Sequence, residues 1–319
     1  MMKKFSIVII LIFSIGGAMI YLNLNSLDAI ETIEMKYATD EGLIKNYSQT
    51  DKPEYLLEST GLYMELLLQR KEKVRFNDQV NVLKKFFIVK VDNELFIKWK
   101  TGSDISVNAF IDDIRIIHIL RQAADIFDRQ EYRILADELT QPIKKYQIVN
   151  NQIPHYYDWN SKYPAPTMVN SYLHDDYLKI LVLDRHPSPN IDGLFFAEEQ
   201  TIQNNKPISS EEAHMVDQLL IATYCIDKSC ENPQFHGWLK KQWDEKKLIN
   251  GRYNKKNGEP TVNYESRAVY ALAVLYFNKT QPSIAKEILK RKSSFFSNRT
   301  DSNTHFFDYV HGVIVSYEE

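Results

Sequence analysis

From Pro53 onward the apolar residues of this chain recur at three- and four-residue intervals, not in alternation, which is the spacing of helices that bury one face. The pattern predicts helical blocks near 54–71, 76–88, 107–127, 131–146, 171–183, 210–226, 234–247, 264–278, 283–295 and 305–317. Stretches rich in Pro, Asn, Asp and Gly separate them, at 164–166, 187–193 and 251–260, and read as loops. A short extended piece is expected around Leu95 to Trp99. Ser209 followed by Glu212 has the form of a capping box and predicts a helix start just ahead of Asp217. Helices of this number and length, joined by loops, fit an all-α toroid in which inner and outer helices alternate. No sequence repeat marks a regular solenoid.

The first 25 residues follow another pattern. Lys3 and Lys4 precede Phe5 to Leu22, a run with no charged residue. A soluble helix of that length would show a polar face, so the segment is an export signal. No small-x-small cleavage site follows, which favours an uncleaved anchor over a cleaved signal, and the lysines place the N-terminal end inside and the domain outside. The expected organisation is a signal anchor or signal peptide at 1–25, a linker and lead-in at 26–52, and one domain at 53–319.

Composition narrows the function. The chain has 319 residues, 44% hydrophobic and 25% charged, as an ordinary globular protein does. A net charge of -3 with scattered lysines gives no basic stripe, so no nucleic-acid partner is expected. Cys225 and Cys230 show no metal-ligand spacing; no metal or cofactor is expected, and the two are free to pair outside the cytoplasm if the helix ends between them.

Carboxylates stand where apolar residues belong. In the block 107–127, Asp112 and Arg115 fall on the side expected to be wet, whereas Asp113 shares a face with Phe110, Ile116, Ile117 and Leu120. Asp217 sits among Ala213, His214, Leu220 and Ile221. Glu58 shares a side with Gly61, a costly residue inside a helix unless something approaches the backbone closely. Glu265 opens another apolar helix, where it could simply complement the dipole. Each of these could be a structural ion pair or cap. Two carboxylates from different helices pointing into one cleft are also what glycoside hydrolysis requires.

These segments resemble glycoside hydrolase family 8, especially its membrane-associated, exopolysaccharide-cutting PssZ- or YdaJ-like branch. The family's acid motif, of the type Ser-Glu-Gly-Gln-Gly-Tyr-Gly-Met, is similar to Leu57-Glu58-Ser59-Thr60-Gly61-Leu62-Tyr63-Met64, which keeps the Glu, the Gly and the Met. A Ser-Ala-x-Asp-Ala-Asp-Leu motif resembles Asn108-Ala109-Phe110-Ile111-Asp112-Asp113-Ile114, and Asn-Pro-Ser-Tyr-Leu resembles Val169-Asn170-Ser171-Tyr172-Leu173. The resemblance implies an (α/α)6 barrel and an endo-acting, inverting hydrolase of a β-linked polysaccharide. It implies Glu58 as general acid and Asp113 as a sugar-binding residue. Asp217 is preferred over Glu265 as the base, since only about 54 residues follow Glu265. Tyr63, Trp99, Trp159 and Tyr172 are expected to stack on sugar, with Glu265 in the binding surface. A monomer is expected, held by its N-terminal helix at the outer face of the membrane, or secreted if that segment is cleaved. A polysaccharide-binding protein that has lost catalysis, or a helical-toroid lyase, remains open.

Overall fold

A computed structural model describes residues 27–183, 187–301 and 303–317; the N-terminal apolar segment at 1–25 lies outside the described residues. Eleven α-helices occur among the described residues: α1 (Ala29–Lys36), α2 (Leu57–Gln69), α3 (Lys73–Phe86), α4 (Phe110–Ile126), α5 (Gln130–Pro142), α6 (Asp175–Leu181), α7 (Met215–Cys225), α8 (Pro233–Lys246), α9 (Arg267–Thr280), α10 (Pro282–Arg291) and α11 (Phe306–Ser316). None is long and apolar enough to cross a membrane.

Six of them form an inner ring. α2 packs on α4 and α4 on α6; the 3-10 turn Asn170–Tyr172 packs on α7; α7 packs on α9, α9 on α11, and α11 returns to α2. Outside this ring α3 lies on α2, α5 on α4 and α10 on α9, while Phe235 and Trp243 seat α8 in the same continuous core. Among the inner helices α9 is apolar along most of its length and buries nine of its residues from Ala268 to Phe277. A helix apolar all round must be enclosed by others, and that requirement closes the ring.

Short strands occupy the loops. β1 (Ile88–Val91) pairs with β2 (Glu94–Ile97), where an extended piece was expected. β3 (Tyr157–Asp158) pairs with β4 (Tyr163–Pro164), β5 (Thr167–Val169) with β8 (Glu199–Thr201), β8 with β9 (Pro207–Ile208), and β6 (Ile191–Asp192) with β7 (Phe195–Phe196). β10 (Glu212–His214) pairs with β11 (Arg252–Asn254). This last pair corrects the predicted helix start. Residues 212–214 are strand and the helix begins at Met215, because a ladder to β11 satisfies the backbone that a Ser209 cap would have served; Ser210 Oγ instead donates to the Glu212 carbonyl. The block at 171–183 is likewise divided, into the 3-10 turn and the two-turn α6.

Helix formation also begins before Pro53. Asp28 and Glu31 form a reciprocal capping box on α1, and Ala29, Ile30, Ile33 and Tyr37 enter the main core. Tyr37 packs against Phe306 and Tyr309 of α11. The cysteines do pair: α7 ends at Cys225, Asp227 takes a left-handed conformation, and Cys225 and Cys230 form a disulfide.

Candidate active site

The inner helices carrying the singled-out carboxylates are anchored at their N-termini by loop carbonyls. Leu57 N–H donates to Trp99 O (2.9 Å), Phe110 N–H to His155 O (2.9 Å) and Met215 N–H to Gly251 O (3.0 Å). None of the three has a side-chain cap. The first turn of each helix is thus pinned from outside, and its acidic side chains (Glu58, Asp112 with Asp113, and Asp217) are free for other partners.

Glu58, Asp112 and Asp217 share one electrostatic neighbourhood. The Tyr172 phenol, half-buried on the 3-10 turn, has its pKa raised first by burial and then by the charges of Asp112, Asp217 and Glu58, with Arg115 opposing. Residues separated by more than a hundred positions in sequence therefore surround one tyrosine.

One of the three, Asp112, is half of an ion pair. Arg115 donates to Asp112 Oδ1 at 2.8 Å, both side chains being nearly inaccessible. Asp112 thus lies inside, not on the expected wet face. The reason is steric as well as electrostatic: a Cβ on Gly61 would lie 3.3 Å from Arg115 Cδ, so the glycine makes room for the arginine stem. Burial opposes the charge of Arg115, but Tyr177, Asp112, Glu58 and Glu65 outweigh it and raise its pKa.

Glu58 keeps partial access to solvent yet is closely surrounded. Burial, together with the charge of Asp112 and against the pull of Arg115, raises its pKa to about 7. Burial also raises Asp112 despite Arg115. Asp217 differs. It accepts a hydrogen bond from Ser171 Oγ (2.6 Å) on one oxygen and lies 3.0 Å from His214 Nδ1 on the other. That contact raises the pKa of His214, favouring its charged form beside the carboxylate.

Asp217 and His214 line a depression of about 510 Å³ with Glu198 and Arg252. Glu198 Oε1 accepts from the His214 backbone N–H (2.7 Å) and from Gln218 Nε2 (2.8 Å), fixing the strand-to-helix junction just before Asp217. Burial raises the Glu198 pKa.

Other expected site residues fall elsewhere. Asp113 is buried at 3% exposure and raised well above the usual carboxylate range by burial; Asn108 Nδ2 donates to its Oδ2 at 2.8 Å. Asn108 in turn bonds Gln147 and the Tyr157 backbone, so Asp113 supports a loop, and of the two aspartates it is Asp112 whose charge acts on the Tyr172 phenol. Tyr63 is buried, with its hydroxyl on Glu34, and cannot offer a ring face to a sugar. Trp159 is also buried, in a small aromatic core with Phe96 and Tyr157. Glu265 precedes α9 and is taken up by Lys292 and the Tyr270 hydroxyl, a structural ion pair on the other side of Ser266. Trp99 remains partly exposed beside the start of α2.

Sequence reasoning missed Arg115, Ser171 and Glu198. The i, i+3 spacing of Asp112 and Arg115 was a usable signal; Ser171 and Glu198 act across long separations that no local pattern records. Among the described residues no cluster of His, Cys, Asp and Glu could hold a metal ion.

The Bacillus subtilis (strain 168) protein named "Putative lipoprotein YdaJ" is 32% identical over 296 residues, covering 84% of this chain and 80% of its own length. The chain belongs to the PssZ- and YdaJ-like branch of the family 8 glycoside hydrolases. PssZ from Listeria monocytogenes matches with a TM-score of 0.83 and 30% identity over 92% of this chain and 96% of that one. Two more distant structures share the fold. An alpha-amylase from Clostridium perfringens has a TM-score of 0.76 at 17% identity, over 91% and 96% of the two chains. Endoglucanase Cel10 of Klebsiella pneumoniae, a family 8 glycosyl hydrolase, has 0.62 at 13%, over 90% and 97%. The ring of inner helices is accordingly the (α/α)6 barrel of that family. No protein-family model matches the chain.

Proposed function

We propose that this protein is an endo-acting hydrolase of a β-linked exopolysaccharide, working outside the cytoplasm by single displacement with inversion. The observation that carries the proposal is the unequal treatment of two carboxylates around Tyr172. Glu58, with its pKa near 7, keeps its proton in a large share of molecules at neutral pH, while Asp217 is set up as an acceptor by Ser171 and His214.

In this scheme Glu58 donates its proton to the glycosidic oxygen as the bond to the anomeric carbon breaks. Water attacks that carbon from the opposite face, and Asp217 takes the water proton. The sum is one water consumed and one reducing end formed. Inversion requires carboxyl groups about 6.5–9.5 Å apart, with room for the water between them. Asp112, held by Arg115, is the aspartate nearest the reacting sugar, while Asp113 braces the Tyr157 loop through Asn108. Tyr172 and Trp99 are the proposed stacking rings.

The location is supported by the charge-free run at Phe5 to Leu22, by the Cys225–Cys230 disulfide, which suits an oxidising compartment, and by the lipoprotein name of the Bacillus relative. Left uncleaved, that run would hold the domain at the outer face of the membrane; cleaved, it would release the same domain. The alpha-amylase among its structural neighbours favours a second reading, an α-linked substrate. Incubating wild type and Glu58→Gln with bacterial exopolysaccharides, β-glucans and α-glucans separates these. Reducing ends from a β-linked polymer with wild type alone are expected. Equal release by both proteins removes Glu58 from the acid role, release from α-glucans alone selects the second reading, and binding without release marks a non-hydrolytic protein.

A further inference from the structure

Tyr264 was not among the rings expected to meet sugar, yet the structure sets it apart. Its side chain is 47% exposed, an unusual state for a large ring in a protein that buries most of its aromatic residues. It is held in place by a glycine: a Cβ on Gly251 would lie 2.4 Å from Tyr264 Cε2 and 2.9 Å from Cζ, so only glycine permits the ring to lie against this stretch of backbone. The main chain locks the same pair, since Gly251 N–H donates to Tyr264 O at 3.1 Å.

Gly251 is also the residue whose carbonyl receives Met215 N–H, the first donor of α7, two residues before Asp217. The ring, the glycine and the start of the Asp217 helix are therefore one connected unit. Next to Gly251 in sequence, Arg252 pairs with Glu212 at 3.1 Å and stands opposite His214 in the β10–β11 ladder. Arg252 lines the depression that contains Asp217, and Tyr264, Asn250 and Val262 line a second open depression of about 610 Å³, within the range of small-molecule sites.

We propose that Tyr264 is a sugar-binding platform that holds a residue of the polymer beyond the one being cleaved, with Arg252 marking the boundary between the two subsites. The phenol offers a flat apolar face to the C–H face of a pyranose, and neighbouring polar groups, Asn250 and Arg252, can bond its hydroxyls. The inference rests on the hydrolase reading above and extends it: a platform outside the catalytic depression selects for long chains over short ones.

The experiment measures kcat and KM on a ladder of oligosaccharides of increasing length, cut from whichever polymer wild type degrades, for the wild type, Tyr264→Ala and Tyr264→Phe. KM for the longer chains should rise on the order of tenfold in Tyr264→Ala, the effect should grow with chain length, and Tyr264→Phe should restore it. A loss of equal size at every length, or no loss at any, overturns the platform. A Tyr264→Ala protein that does not fold moves the test to Tyr264→Leu, which keeps apolar contact with Gly251 but has no flat ring. If wild type cleaves nothing, the hydrolase reading fails by itself. Retention of the Glu58→Gln protein on insoluble glycan, compared with Glu58→Gln/Tyr264→Ala, then decides the platform: reduced retention supports it, and unchanged retention or none overturns it.

Discussion

Ser171 donates its hydroxyl to Asp217 Oδ1 at 2.6 Å across 46 positions of sequence, joining the 3-10 turn before α6 to the first turn of α7. The bond uses one carboxylate oxygen and leaves the other to His214. A general base gains from being oriented, so removing the carboxylate and removing its holder should differ in scale. Asp217→Asn is expected to lower kcat by about 10²–10⁴, the usual contribution of acid–base catalysis, and Ser171→Ala by roughly tenfold. Steady-state rates on the degraded polymer, with unchanged circular dichroism, check both values. Equal losses would place Ser171 in the chemistry itself.

Glu58 provides a pH signature. Its pKa of about 7, against an ordinary 4.5, means that it loses its proton across neutrality, so kcat/KM should fall as pH rises through about 7. A pH–rate profile reads this limb, and a profile flat to pH 9 would contradict the assignment.

The same shift has a thermodynamic counterpart. A carboxyl whose folded pKa is raised binds its proton more tightly in the folded state, so its contribution to stability is present below about 4.5 and is lost as pH climbs from there to about 7. Glu58→Gln has no such loss. The variant should gain on wild type over that window, by about 3 kcal/mol, and the gap should be constant above it. Denaturant titrations at pH 4, 6 and 8 measure the difference; a gap that shrinks with rising pH contradicts it.

Gly312 in α11 allows a close approach of another kind. A Cβ there would lie 2.4 Å from the carbonyl oxygen of Phe295, which is backbone and cannot swing aside. Although alanine favours helix, Gly312→Ala should destabilise the protein by about 1–3 kcal/mol, as overpacking does. Thermal unfolding should show the loss, and a raised Tm would contradict the packing.

The Cys225–Cys230 bridge closes a short loop after α7. Chain-entropy reasoning gives such a loop about 2 kcal/mol, so Cys225→Ala/Cys230→Ala should melt several degrees lower than wild type. Thiol titration of the unfolded, unreduced protein should find no free thiol.

Helices were legible wherever one face is apolar over several turns. The block expected at 234–247 is α8, Pro233–Lys246, with Pro at its start as proline prefers. The start of α7 was misread because the choice between a cap at Ser209 and a strand at Glu212 depends on β11, forty residues downstream. Inward carboxylates were partly legible: Asp113 is as buried as its apolar neighbours imply, but periodicity could not show that Asp112 is buried as well, since Arg115 follows it inside through the gap left by Gly61. The aromatic expectations for Tyr63 and Trp159 failed for a related reason. Ring chemistry is the same in a core and in a cleft, and only tertiary packing tells them apart.

The central claim, single displacement between Glu58 and Asp217, is tested most directly by following the anomer first released from a β-linked polymer with time-resolved proton NMR. The account predicts the α-anomer first with wild type and no product with Glu58→Gln or Asp217→Asn. A β-anomer appearing first, or undiminished product from either variant, would contradict it.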